Sequence, residues 1–151
     1  MLQECNLSCE YCFYQDKGRE KGYMSLELFK KSIDPDVNNV YLSGGEPFLN
    51  PDILDIIRDI KQNGKKCIIF SNGISLLQFS ETKRKEVLEN IGKIIISFDT
   101  FDKNYKLRGT STENVEKIIK EILRFSPNIL EVKICVNKYN VEEFEETILG
   151  L

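Results

Sequence analysis

Histidine and tryptophan are both absent from the 151 residues of this chain. Without histidine, Ser–His and Cys–His nucleophile pairs are excluded. The usual histidine-bearing catalytic zinc sites go with them. No apolar run approaches the length that spans a bilayer, so no membrane partner is expected. Met1-Leu2-Gln3-Glu4, the only residues ahead of Cys5, are too short and too polar for a signal peptide. The net charge of −3 lacks the basic excess of a general nucleic-acid binder, and no nucleic-acid partner is expected. Cysteine is scarce as well, at five residues. Three clustered and two scattered, Cys67 and Cys135, do not make a disulfide framework, and a reducing, cytoplasmic location is the default.

What is present is concentrated at the start. Cys5, Cys9 and Cys12 stand at spacings of four and three. Thiolates are soft ligands that select zinc, copper(I) or iron–sulfur clusters. A closed structural zinc site takes four ligands, and no histidine exists to complete one. A cubane cluster held by three thiolates would leave one iron open. The Cys9-Glu10-Tyr11-Cys12 spacing is also compatible with a dithiol oxidoreductase, but that reading leaves Cys5 unexplained.

The length suits one domain, residues 1–151, burying about 68–70% of its unfolded surface. Residues 1–4 are a strand stub at most. Residues 5–23 read as a polar loop. Ser25 is placed to cap a short helix that Asp34-Pro35 ends. Val40-Tyr41-Leu42 reads as a strand running into Ser43-Gly44-Gly45-Glu46-Pro47. Asn50-Pro51 opens a helix with Ile53, Leu54, Ile57 and Ile60 on one stripe, closed at Gly64. Cys67-Ile68-Ile69-Phe70 and Ile94-Ile95-Ile96 are continuous apolar runs, as strands buried on both faces show. A helix over 81–90 lies between them. Thr110 and Glu113 are spaced as a capping box for the next helix. Residues 129–136 form a last strand, and Asn140 with Glu143 caps a closing helix. Such alternation predicts an α/β chain with about five parallel strands and helices outside.

Each strand delivers polar residues at its carboxyl end: Gly44, Gly45 and Glu46, then Ser71 and Asn72, then Ser97 and Asp99, then Asn137. Ligands of parallel α/β folds bind beyond that end. The cysteine loop follows the strand stub, so it belongs to the same rim. Paired glycines let backbone approach a ligand closely. Tyr14, Phe48 and Phe101 lie near this rim. Cys67 and Cys135, inside apolar runs, read as small core residues.

Cys5, Cys9 and Cys12 with Tyr11 before the last, together with Gly44-Gly45-Glu46-Pro47, resemble the paired motifs of the radical S-adenosylmethionine (radical SAM) superfamily. The resemblance covers residues 5 to about 140 and implies a partial (β/α) barrel, a truncated core of that family. It implies a [4Fe–4S] cluster on Cys5, Cys9 and Cys12, with S-adenosylmethionine on the open iron. It further implies that Gly44, Gly45 and Glu46 hold the methionine amino group and that Tyr11 and the Phe13 backbone meet adenine. Ser71, Asn72, Ser97 and Asp99 would reach the cofactor, Arg108 its carboxylate, and Val136 the adenine. No side chain is assigned as a catalytic acid or base. The implied activity is reductive cleavage of S-adenosylmethionine to a 5′-deoxyadenosyl radical, which abstracts hydrogen from a substrate.

The Cys-Glu-Tyr-Cys-Phe-Tyr and Ser-Phe-Asp-Thr stretches are most similar to peptide- and protein-modifying members. A glycyl-radical-enzyme activase is the rival within the family. A non-catalytic metal-binding or partner-binding remnant is the rival outside it. The resemblance also implies a reductant such as flavodoxin or ferredoxin. The first strand and a sixth βα unit are short or missing against the family pattern. Either the sequence is a fragment or trimmed domain, or an oligomer or partner covers the open sheet edge.

Overall fold

The computed structural model describes residues 4–12, 22–101 and 104–150. Four strands form one parallel sheet in the order β1-β2-β3-β4: β1 (Asn39–Leu42), β2 (Lys66–Ser71), β3 (Lys93–Ser97) and β4 (Leu130–Lys133). The expected strand stub falls on residues 1–4, of which 1–3 lie outside the described residues. Glu4 is not in a strand, but its carbonyl accepts from Glu46 N at 2.8 Å.

Register sorts the strand residues onto two faces, because partners in a parallel pair point the same way. Val40, Leu42, Cys67, Ile69, Ile94 and Ile96 face the helices and are buried with them in one core. The opposite face carries Tyr41, Ile68, Phe70, Ile95, Ser97 and Lys133 and has no helix in that core. The sheet is thus a partial barrel, helix-clad outside and open inside.

The helices form where the sequence pattern places a stripe and a cap. In α1 (Leu26–Ser32), Ser25 Oγ accepts from Leu28 N. Helix α2 (Ile53–Gln62) buries Ile53, Ile56, Ile57 and Ile60, each contributing about 2 kcal/mol by removal from water. It starts beyond Pro51, after a 3-10 turn (Pro47–Leu49), with Asn50 Oδ1 accepting from Asp52 N. Two short helices escape the sequence pattern: α3 (Ile74–Gln78) and, further on, α5 (Asn104–Arg108). Helix α4 (Glu81–Asn90) matches the expected span and is capped by Ser80. In α6 (Thr112–Phe125) the cap is Ser111, one residue after the expected Thr110. A 3-10 turn (Val141–Glu143) precedes α7 (Phe144–Leu149), and Asn140 does not cap it. Asn140 instead donates to the carbonyls of Asp99 and Cys135, tying the ends of β3 and β4 together. No helix among the described residues is long and apolar enough to cross a membrane.

Candidate functional site

The carboxyl ends of the strands close on a cavity of about 440 Å³, within the size range of small-molecule sites. Cys5, Cys9 and Cys12 line one side of it, beside Gly44 and Gly45. Phe70, Ser97 and Lys133 belong to the sheet's open face and complete the wall.

The turn after β1 depends on its glycines. Gly44 has φ +144°, a region L side chains rarely adopt. A Cβ on Gly45 would collide with the Glu4 carbonyl, so only glycine lets residue 4 bring Cys5 against this turn. Glu46 is fully buried behind it. Its Oε1 accepts from Phe48 N and Ser71 Oγ at 3.1 and 2.7 Å, and its Oε2 from Asn72 N at 2.9 Å. Burial pushes this carboxyl above its ordinary range, against the pull of those three hydrogen bonds. One carboxylate therefore locks the end of β1 to the end of β2.

Two grips hold the cysteine loop. At β2, Asn72 Nδ2 donates to Asn6 Oδ1 at 2.9 Å and lies 3.7 Å from Cys5 Sγ. Asn6 in turn donates to Ser75 Oγ on α3. At α5, Glu10 N donates to the Leu107 carbonyl at 2.9 Å, and the Cys9 thiol donates to the Arg108 carbonyl at 3.7 Å. Asp99 anchors this second grip. It accepts from Tyr11 Oη, from Arg108 Nη2 at 2.9 Å and from Cys135 N at 3.1 Å. Arg108 Nε is also 2.9 Å from Asp99 Oδ2, although its N–H is not aligned for a hydrogen bond. Burial, then the bond to Asp99, pushes the Tyr11 phenol well above its ordinary range. Burial also raises the Cys5 and Cys9 thiols, with Arg108 opposing it at Cys9.

The chain matches the radical SAM superfamily over residues 1–149. It belongs to that family. Among curated relatives it is 30% identical to the "Tungsten-containing aldehyde ferredoxin oxidoreductase cofactor-modifying protein" of Pyrococcus furiosus, over 97% of this chain and 45% of that protein. It is 32% identical to a "Probable GTP 3',8-cyclase" of Methanococcus maripaludis strain C7, over 96% of this chain and 48% of the relative. The chain thus spans about half the length of the curated relatives it matches. Streptococcus suis SuiB bound to S-adenosylmethionine superimposes with TM-score 0.72 at 19% identity, covering 99% of this chain and 36% of SuiB. SuiB bound to its precursor peptide SuiA gives TM-score 0.73 at 18% identity, over 99% and 35%. At those identities the likeness is one of fold.

Radical SAM proteins use a [4Fe–4S] cluster and S-adenosylmethionine, and the donor set here fits both. All three loop cysteines are free of disulfides. Among the described residues, no three His, Cys, Asp or Glu side chains gather tightly enough to ligate one metal ion. Three thiols on one cavity, with no histidine in the chain, are the soft donor set that an iron–sulfur cluster takes.

The cavity collects most of the residues the sequence singles out: the three cysteines with Tyr11, then Gly44 and Gly45, then Ser71, Asn72, Ser97 and Arg108. Glu46 and Asp99 do not line it; they are buried braces behind the wall. Val136 is exposed and off the wall, and Cys135 lines it instead. Cys135 is therefore not the core residue expected from its apolar run, whereas Cys67 is buried as expected. The reason is that β4 ends at Lys133, before the run does. Phe13 and Tyr14 lie outside the described residues. Phe48 is core rather than rim, and Phe101 packs edge-on against Phe98. Lys133 was missed in the sequence. Its signal was strand parity, since it shares a face with Ser97 and Phe70.

Proposed function

We propose that this chain is the cofactor-binding core of a radical SAM enzyme that abstracts hydrogen from a peptide or protein substrate. The observation that carries the reading is the single cavity shared by Cys5, Cys9, Cys12 and the Gly44-Gly45 turn. Each thiol would hold one iron of the cluster, leaving the fourth for the amino and carboxylate groups of S-adenosylmethionine. When bound, cluster and cofactor supply one-electron cleavage of the sulfonium and a carbon radical that removes hydrogen.

The chain's own residues position and shield. Gly44 and Gly45 offer backbone to the methionine amino group, with Glu46 fixing the turn from behind. Asn72, whose Nδ2 lies 3.7 Å from Cys5 Sγ, would offer a donor to that ligating thiolate, a lever on the potential of a bound cluster. Ser97 would offer its hydroxyl to the cofactor, while Tyr11, Arg108 and Ser71 shape the wall with their polar groups held by Asp99 and Glu46. Phe70 gives the open face an apolar surface that excludes water. Three reduced thiols suit a reducing, cytoplasmic setting, and flavodoxin or ferredoxin would supply the electron.

The SuiB–SuiA neighbour supports the peptide class. A second reading, a small-molecule substrate, is favoured by the relatives named as GTP 3',8-cyclases. Anaerobic iron–sulfur reconstitution followed by reduction with S-adenosylmethionine tests the core claim. Formation of 5′-deoxyadenosine is expected; a protein that takes up only zinc and forms none would overturn it. Adding a peptide or a nucleotide and seeking hydrogen transfer to 5′-deoxyadenosine separates the two substrate classes.

A further inference from the structure

Charge is unevenly balanced on the cavity wall. Among the described residues no aspartate or glutamate lines it, and two cations do, Arg108 and Lys133. Arg108 is buried and neutralised by Asp99 at 2.9 Å. Lys133 is not neutralised. It is the last residue of β4, and register sets it beside Ser97 on the open face. Its ammonium stands 5.3 Å from the centre of the Phe70 ring. No carboxylate among the described residues lies within 4.0 Å of it. Lys93, on the same face, shows the contrast: its ammonium is 2.5 Å from Glu131. An aromatic face steadies an ammonium through its quadrupole but leaves the charge uncancelled. Lys133 is thus held in place with its positive charge available to whatever enters the cavity.

We infer that Lys133 is a specificity-determining residue: it pairs with an anionic group, a carboxylate or a phosphate, of the molecule bound beside the three cysteines. The inference rests on the proposed function only for what that molecule is. Two sources can supply the anion. One is the carboxylate of S-adenosylmethionine; the other is an acidic or phosphorylated substrate. Either gains a charge-assisted hydrogen bond, the stronger kind, inside a partly enclosed site.

The test uses Lys133→Met and Lys133→Arg in the whole chain, with calorimetric titration of S-adenosylmethionine, its decarboxylated analogue, tripolyphosphate and citrate. Iron content is read first, and both variants should load like wild type, because Lys133 is not a cysteine ligand. A wild type that takes no cluster counts against the proposed function alone, since the tripolyphosphate and citrate titrations need no cluster. Lys133→Met should weaken at least one anionic probe about tenfold, with Lys133→Arg largely restoring it. Weaker S-adenosylmethionine binding with the decarboxylated analogue unaffected identifies the cofactor carboxylate as the source. Unchanged S-adenosylmethionine binding with weaker tripolyphosphate or citrate binding identifies the substrate. Unchanged affinity for all probes, or a wild type that binds none of the anions, overturns the inference.

Discussion

Single residues carry unequal shares of this site, and Cys9 and Cys67 mark the extremes. Cys9→Ala leaves two thiols in the loop, so the reconstituted variant should lose its cluster iron and 5′-deoxyadenosine formation together. Iron retained at wild-type level would remove Cys9 from the ligand set. Cys67 works through burial. It is 1% exposed in the core, and burial pushes its thiol up to about 12 from an ordinary 9.0. The unfolded thiol ionises first, so high pH favours unfolding. The stability contribution is fully present below about pH 9 and lost as pH rises toward about 12, at up to about 1.4 kcal/mol per pH unit. Cys67→Ala abolishes this loss at a cavity cost of about 1–2 kcal/mol. Urea unfolding at about pH 8 and pH 10 should show the gap between wild type and variant narrowing. A constant gap would mean that the thiol ionises alike in both states.

Between residues and molecule stand the elements that present the cysteine loop. The Gly45 contact predicts that Gly45→Ala forces Glu4 and Cys5 away from the turn. Iron uptake should fall while the sheet, whose core lies elsewhere, keeps its far-ultraviolet circular dichroism. Asp99→Asn attacks the second grip. An amide cannot accept from Tyr11, Arg108 and Cys135 together, and it leaves Arg108 buried without a counter-charge. Breaking such a pair typically costs about 3–5 kcal/mol. Hydrogen exchange at the Glu10 amide, which bonds to Leu107, should accelerate more than exchange in β2. Equal acceleration would mean general loosening rather than a lost grip. These braces also show where sequence reading stops. The β2 and β3 strands were legible as apolar runs, and α4 as a helix over 81–90. Helices α3 and α5 were not, each being only five residues long, and α3 having no side-chain cap. Glu46 and Asp99 looked like ligands because they sit in motif positions. Only coordinates reveal that their oxygens are already occupied by neighbours. The expected cap at Thr110 gave way to Ser111, whose Oγ accepts from Asn114 N.

At the scale of the molecule, the sheet has two edges, β1 and β4, that no other strand among the described residues pairs, and one face that no helix among them covers. Unpaired strand edges invite another chain. Association of this chain with itself, or with a partner, is therefore the expected behaviour. Sedimentation velocity over rising concentration should show a growing mass; a constant monomer would refute self-association. The sequence pattern predicts about five strands; the four from β1 to β4 are present, and the fifth, a stub over residues 1–4, is not a strand at Glu4, the one residue of it described. The open inner face was not legible, because the apolar runs of β2 and β3 read as strands buried on both faces. Tyr41 and Lys133 sit on it at positions where a sheet covered on both sides would have apolar residues.

The hold of α5 on the cysteine loop has a thermodynamic corollary. Glu10 bonds to Leu107, and Tyr11 shares Asp99 with Arg108, so the cysteine segment proposed to carry iron and the stretch before α6 are tied together. Linkage then works in both directions with equal free energy. A guest that stiffens residues 104–108 tightens the hold on iron by some factor, and loading iron must sharpen affinity for that guest by the same factor. Iron retention under a chelator thereby becomes a gauge of events at the cavity's far wall, readable without any turnover at all.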